Sequence, residues 1–234
     1  MKNRMFVGLV AAATALVLSS SLASADEQAA YSANAIGVIK KTIPAGKQSL
    51  MSVPLDQTSD SGDGFIFASV PAISNMPDGS VANFWDVTNQ IWITQTKTAR
   101  YGWSSQKNRK IAVGEPFFIK NVQSSNMEVV ISGEVPESPA LSKGLANNAM
   151  VLVANPYPVP TVLTNFAFAD SLADGSVVNF WDEANQIWIT QTKTARYGWS
   201  TQKNRLIQPG EGFFVKSAGA EFEWTESRPY TWPN

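Results

Sequence analysis

The 234-residue chain contains neither cysteine nor histidine. Without cysteine it can form no disulfide and carry no cysteine-linked lipid, so its stability has to come from packing. Without histidine it lacks the commonest general base, and the two absences together exclude thiolate and imidazole zinc sites. Charge is sparse as well: 18 Lys and Arg stand against 19 Asp and Glu, which leaves no dense basic face for a nucleic-acid partner. One apolar run exists, over residues 6–18. It is shorter than the roughly 20 residues that span a bilayer, so no transmembrane anchor is predicted. Lys2 and Arg4 precede this run, and Ser19, Ser20, Ser21 and Ala23-Ser24-Ala25 follow it. That order predicts a secretory signal peptide over residues 1–25, cleaved before Asp26. Its removal leaves 16 basic against 19 acidic residues, a net charge of −3. The expected location is secreted, periplasmic or at a bacterial cell surface.

What the chain has instead is a repeat. Residues 80–121 and 176–217 align without a gap at an offset of 96, and 32 of the 42 positions are identical. A period this long marks a supersecondary unit present twice. The identity ends sharply outside the block, so the block was either copied recently or is held by a shared demand.

Taken in order, the chain is predicted to run from a small, polar leader (26–35) into a first β module (36–125) and a second (126–234). Strand candidates in the first are 36–43, 50–55 and 117–120, and in the second 127–131, 150–154 and 221–225, each rich in apolar, β-compatible residues and bounded by turn formers. A polar loop over 56–64 has no counterpart in the second module, where 155–160 (NPYPVP) is stiffened by proline. Residues 65–75 suit a short helical turn, and 164–172 a short helix capped by Thr164 or Asn165. Helical periodicity is otherwise weak, and Gly and Pro punctuate short segments throughout. The predicted class is all-β: two tandem homologous β-sandwich or barrel-like modules with little helix.

Six of the eight tryptophans lie in the repeated block: Trp85, Trp92, Trp103, Trp181, Trp188 and Trp199. The block opens as a hairpin, with Asn83-Phe84-Trp85 before and Ile91-Trp92-Ile93-Thr94 after a turn that begins at Asp86 and contains Asn89. An even loop puts Trp85 and Trp92 on one face with Asn83, Gln90 and Thr94, and Phe84, Ile91 and Ile93 on the other; an odd loop destroys that division. The indole face has three readings. It can pack beneath the polar segment 95–109 with Arg100 or Lys107 over the rings. It can stack on the C–H face of a sugar, or it can contact protein. Tyr101-Gly102-Trp103, in the middle of the polar segment, is the aromatic group expected to be most exposed. The candidate ligand or partner residues are therefore Trp85, Trp92, Arg100, Tyr101 and Trp103, with their counterparts Trp181, Trp188, Arg196, Tyr197 and Trp199.

Asp78, Asp86 and Glu115 recur as Asp174, Asp182 and Glu211, and a pair of carboxylates can hydrolyse a glycosidic bond without histidine. These acids sit at turns or beside glycine, where acids serve the backbone. No nucleophile elbow, phosphate loop or EF-hand spacing occurs, and the acidic stretch 56–63 has no repeat, so no catalytic residue, cofactor or metal is assigned.

The strand LMSVPL (50–55), or MVLVANPYP in the second copy, followed by FWD and IW and then by GEPFFI or GEGFFV, resembles a module that recurs in uncharacterised secreted bacterial proteins. There a strand ending in proline, a Trp-Asp hairpin and a Gly-x-Gly-aromatic strand repeat. The first copy departs from that pattern with Ala112-Val113 for Gln208-Pro209 and Pro116 for Gly212. The resemblance implies a surface or extracellular protein and no activity. The expected function is an exported, non-catalytic surface, matrix or envelope protein whose partners are itself or other surface proteins. A bivalent polysaccharide-binding protein is the alternative, and a glycoside hydrolase the third reading.

Overall fold

The computed structural model describes residues 35–56, 64–199 and 202–231. The expected signal peptide, nearly all of the leader and most of the 56–64 loop lie outside the described residues. The chain is nearly all β. Its first half holds β1 (Ile36–Ile43), β2 (Gln48–Met51), β3 (Phe65–Ile66), β4 (Val81–Asp86), β5 (Ile91–Thr96), β6 (Lys110–Ile111), β7 (Phe117–Lys120) and β8 (Met127–Glu134). Its second half holds β9 (Ala140–Leu145), β10 (Met150–Ala154), β11 (Thr161–Val162), β12 (Val177–Asp182), β13 (Ile187–Thr192), β14 (Leu206–Ile207), β15 (Gly212–Lys216) and β16 (Phe222–Ser227). Two short helices, α1 (Pro71–Ser74) and α2 (Ala167–Ser171), occupy equivalent places.

Every pairing in the first half recurs in the second. The four-stranded sheet β2-β7-β4-β5 matches β10-β15-β12-β13, β1-β8 matches β9-β16, and β3-β6 matches β11-β14. All pairs are antiparallel. Strand β8 was expected to open the second module. It instead pairs along its whole length with β1 and sends Val129 and Ile131 into the core built by residues 43–119. By these contacts the halves meet in the proline-containing link 135–139 rather than at 125/126.

Each four-stranded sheet uses both faces, as period-2 alternation requires. In the first, Met51, Ala82, Phe84, Phe117 and Ile119 point into a core where Phe67 makes edge-to-face contacts with Phe84 (5.0 Å) and Trp103 (5.1 Å). In the second, Val151, Val178, Phe180, Phe213 and Val215 join Phe166, Phe168, Trp199 and Trp224. The opposite faces carry Leu50, Phe118, Leu152 and Phe214, which cluster together with the four hairpin tryptophans. Two expectations are corrected. The strand at 50–55 ends at Met51, because the Ser52 N–H leaves the ladder to donate to the Gly210 carbonyl. The helix near 164–172 begins after Phe166, and neither Thr164 nor Asn165 caps it; Thr164 Oγ1 donates to Lys203 O instead.

Candidate functional site

The hairpin loop is even. Trp85 pairs with Trp92 and Asp86 with Ile91, so residues 87–90 form the loop and both indoles share a face with Asn83 and Thr94. The aspartate drives the turn: Asp86 Oδ1 accepts from the N–H groups of Thr88 and Asn89, each at 3.0 Å, and Oδ2 accepts from Asn89 Nδ2 at 2.8 Å. Asp182 holds Asn185 in the same way. These hydrogen bonds stabilise the ionised form and hold both carboxyls below the usual aspartate range, the Asn89 and Asn185 side-chain amides contributing most.

The indole faces cover one another. Trp85 lies 5.0 Å from Phe214, and Trp92 lies 5.3 Å from Phe118. Reciprocally, Trp181 lies 5.0 Å from Phe118, and Trp188 lies 5.1 Å from Phe214. Trp85 Nε1 donates to Met150 O at 2.8 Å, and Trp181 Nε1 donates to Gln48 O at 3.3 Å. The glutamines closing the two turns follow suit. Gln90 accepts from Met150 N–H (2.9 Å) and donates to its carbonyl (3.2 Å), while Gln186 does both for Gln48, at 3.0 Å each. Both glutamines adopt positive φ, 55° and 57°, a conformation unusual for a side-chain-bearing residue and held here by these contacts. Residue i meets j′ and i′ meets j, which is the signature of an isologous interface, here within one chain. The joint replaces two expected uses of these residues. Trp85, Trp92, Trp181 and Trp188 are partly buried in it, and Arg100, expected over the indoles, lies over Tyr101 instead (4.9 Å); on the opposite face Arg109 sits over Phe84 (4.5 Å) and Arg205 over Phe180 (4.4 Å).

Two of the positions where the copies differ lie at the joint. Pro116 faces its own counterpart, Gly212, where an added Cβ would come within 2.7 Å of the proline Cβ. Glu183, which replaces Val87, accepts from Ser49 Oγ (2.7 Å) and pairs with Lys41 Nζ (2.5 Å). A cleft of about 230 Å³ opens between the 112–116 loop and β9, β10 and Trp224. Its one acid, Glu115, is already held by Arg109 (3.0 Å) and the Ala112 N–H (3.1 Å). Glu211 is likewise paired with Arg205, and Asp78 with Lys97 at 3.5 Å. Asp78, Asp86, Glu115, Asp182 and Glu211 thus close turns or neutralise neighbouring cations. Among the described residues no cluster of acids could hold a metal ion.

Trp103 and Trp199, expected to be exposed, are 2 % and 3 % accessible, and their indole N–H groups donate to Ile73 O and Ala169 O at 3.0 Å. Their neighbours carry the exposure: Tyr101 is 61 % and Tyr197 62 % accessible, with Arg100 and Arg196 each 4.9 Å over the ring. The tight turn from Thr98 to Gly102, closed by a pair of backbone hydrogen bonds, presents both side chains.

The sheet edges are treated unequally. Gln186 and Gln90 occupy the outer backbone groups of Gln48 on β2 and Met150 on β10. At the other edge, Lys97 N–H donates to Ser80 O, which sets the ladder phase: the backbone groups of 91, 93 and 95 point to β4, and those of Trp92 and Thr94 point out of the sheet. Lys193 N–H and Ser176 O set the same phase for β13. None of the described hydrogen bonds engages the outward backbone groups of Trp92, Thr94, Trp188 or Thr190. Sequence reasoning placed Gln90 on the indole face without assigning it a contact and missed Gln186 and Glu183; the one local signal was a glutamine in place of the usual glycine at the end of each turn. No protein family, curated protein or solved structure matches this chain. Among the described residues no helix is long and apolar enough to cross a membrane.

Proposed function

We propose that this is an exported, non-catalytic structural protein of a bacterial surface, matrix or envelope, built of two tandem modules and acting through contacts with itself. The observation that carries this reading is the duplicated open edge. Ile91–Thr96 and Ile187–Thr192 have the same sequence, IWITQT, contain no charge and no proline, and each leaves an isoleucine 54 % accessible at its start. Sheet edges in proteins that stay apart are normally blunted by lysine, proline or a covering element. Two equivalent surfaces on one chain allow each molecule to meet two neighbours, and contacts that do not close propagate. Light scattering coupled to size-exclusion chromatography over a wide concentration range tests this. Growth into large, concentration-dependent species is expected, and a monodisperse monomer at every concentration would reject it.

A second reading rests on the two exposed Arg–Tyr pairs, which suit bivalent contact with a polysaccharide, a ring stacking on the sugar and the guanidinium donating to hydroxyls. In that case Tyr101→Ala with Tyr197→Ala lowers retention on a polysaccharide column without changing the melting temperature; unchanged retention would dismiss the site.

A further inference from the structure

We infer that assembly proceeds by edge-to-edge strand addition, the open edge of β5 or β13 in one molecule pairing antiparallel with an open edge in a second copy of this chain. The inference rests on the self-assembling reading above and names its surface and occupant. The fold itself distinguishes the two edges of each sheet. A glutamine side chain from the other half engages the first outward residue of each, Gln48 on β2 and Met150 on β10, with one donor and one acceptor, and the Ser52 N–H just past β2 donates to Gly210 O, whereas none of the described hydrogen bonds engages β5 or β13 at Trp92, Thr94, Trp188 and Thr190.

The occupant follows from the phase of the ladder. The outward backbone groups are those of Trp92 and Thr94 on one edge and Trp188 and Thr190 on the other. The Thr96 carbonyl is taken by Gln95 Nε2 at 3.1 Å, which restricts pairing at that end. The antiparallel register that uses both backbone groups of all four of these residues sets Trp92 opposite Thr190 and Thr94 opposite Trp188, each pair exchanging two N–H···O bonds. Between them Ile93 falls opposite Ile189, a close, non-hydrogen-bonded pair of β-branched side chains. Ile91 and Ile187, the exposed isoleucines, fall opposite Gln191 and Gln95. The strand is therefore complementary to its own antiparallel copy in hydrogen bonding and in apolar contact, with no charge to repel it. Because IWITQT occurs twice, every molecule added presents a fresh edge.

Proline at 94 and 190 removes outward N–H groups and spares the backbone bonds to β4 and β12, at the loss of one exposed side-chain bond, Thr94 Oγ1 to Asn83 Oδ1 (2.7 Å). The expected result for the Thr94→Pro, Thr190→Pro chain is an elution mass reduced from the wild-type oligomers to the monomer, with the far-UV circular dichroism spectrum and a cooperative melting transition retained. A folded double-proline chain that assembles like the wild type would overturn strand addition and leave the assembly reading standing, whereas a wild type that never assembles would overturn both. Should the proline chain not fold, Ile93→Cys with Ile189→Cys decides, since the chain has no other cysteine. Mild oxidation is expected to give a ladder of disulfide-linked multimers joined at 93 and 189, and multimers that stay uncrosslinked would overturn the register and the mode together.

Discussion

Replacing Trp85 by alanine tests whether the two halves are locked by their indole faces. The ring makes edge-to-face contacts with Trp92 and Phe214, both at 5.0 Å, and its N–H reaches Met150 O at 2.8 Å. Two such aromatic contacts contribute about 0.5–1.5 kcal/mol each, and one neutral hydrogen bond about 1 kcal/mol. The expected loss is therefore about 3 kcal/mol, toward the lower end for tryptophan truncation because the side chain is only partly buried. For a body of this size that corresponds to a fall in melting temperature of about 6–12 °C. Urea unfolding followed by near-UV circular dichroism reads the change, with Tyr101→Ala as a surface control expected to shift stability by less than about 0.5 kcal/mol. A double-mutant cycle with Phe214→Leu is expected to show coupling of about 1 kcal/mol across the joint. If Trp85→Ala and Tyr101→Ala behave alike, or if the cycle shows no coupling, the joint does not hold the halves together and the reasoning fails.

Three further perturbations follow from particular contacts. Gly212→Ala brings a Cβ within 2.7 Å of the Pro116 Cβ and 3.0 Å of Leu50 Cγ, and overpacking of this kind is expected to cost about 1–3 kcal/mol in an unfolding titration; Pro116→Gly in the same chain should recover part of it, and no recovery would refute the contact. Glu183→Val copies the first hairpin into the second and removes the contacts to Lys41 and Ser49; the expected loss is about 1 kcal/mol or less at low salt and smaller in 1 M salt, and a salt-independent effect would point away from the ion pair. The folded-state pKa values of Asp86 and Asp182 are depressed below 3.8, so the stabilisation they provide is present above that value and lost as pH falls through the lower folded values. Acid titration of Asp86→Asn with Asp182→Asn should show a shallower decline below about pH 4 than the wild type, and an unchanged acid limb would assign the decline to other carboxylates.

What could be read from the chain was what is local. Alternation in Asn83-Phe84-Trp85 and Ile91-Trp92-Ile93, with aspartate and asparagine between, specifies the hairpin and its two faces because strand period and turn chemistry act over a few residues. The all-β class follows from the same signals repeated. What covers the second face was not legible: Phe214 lies more than a hundred residues beyond Trp85, and no period or spacing announces that the two copies meet each other. Trp103 misled for a related reason. Its flanks are polar, yet its indole reaches back 30 residues to Ile73 O and fills the core beside Phe67, so polar neighbours exposed Tyr101 and not the tryptophan. Strand β9 (ALSKGL) has no alternating apolar pattern and exists through its pairing with β16. The boundary was misplaced because β8 looks like the start of a new unit by position, while Val129 and Ile131 belong by packing to the old one.

The joint also bears on why the copies differ where they do. In a pseudo-two-fold interface most residues meet a non-equivalent partner, so both copies can keep the same residue and each satisfies the other, as Trp85 and Trp181 do with Met150 and Gln48. Residues on the axis meet themselves. There identity becomes a steric problem: proline at both 116 and 212 would drive two rings into the space that now holds one ring and a bare Cα. The pair Pro116 and Gly212 resolves this by making one partner large and the other absent. Position 87/183 lies off the axis, where Glu183 gains Lys41 and Ser49 while Val87 stays 39 % accessible, so this difference adds an ion pair to one side only. The aromatic positions of the hairpins carry a reciprocal demand that either copy violates by changing alone. That demand accounts for the persistence of the two hairpin tryptophans in both copies. It also leaves the two sheet edges at β5 and β13 with the same sequence, IWITQT.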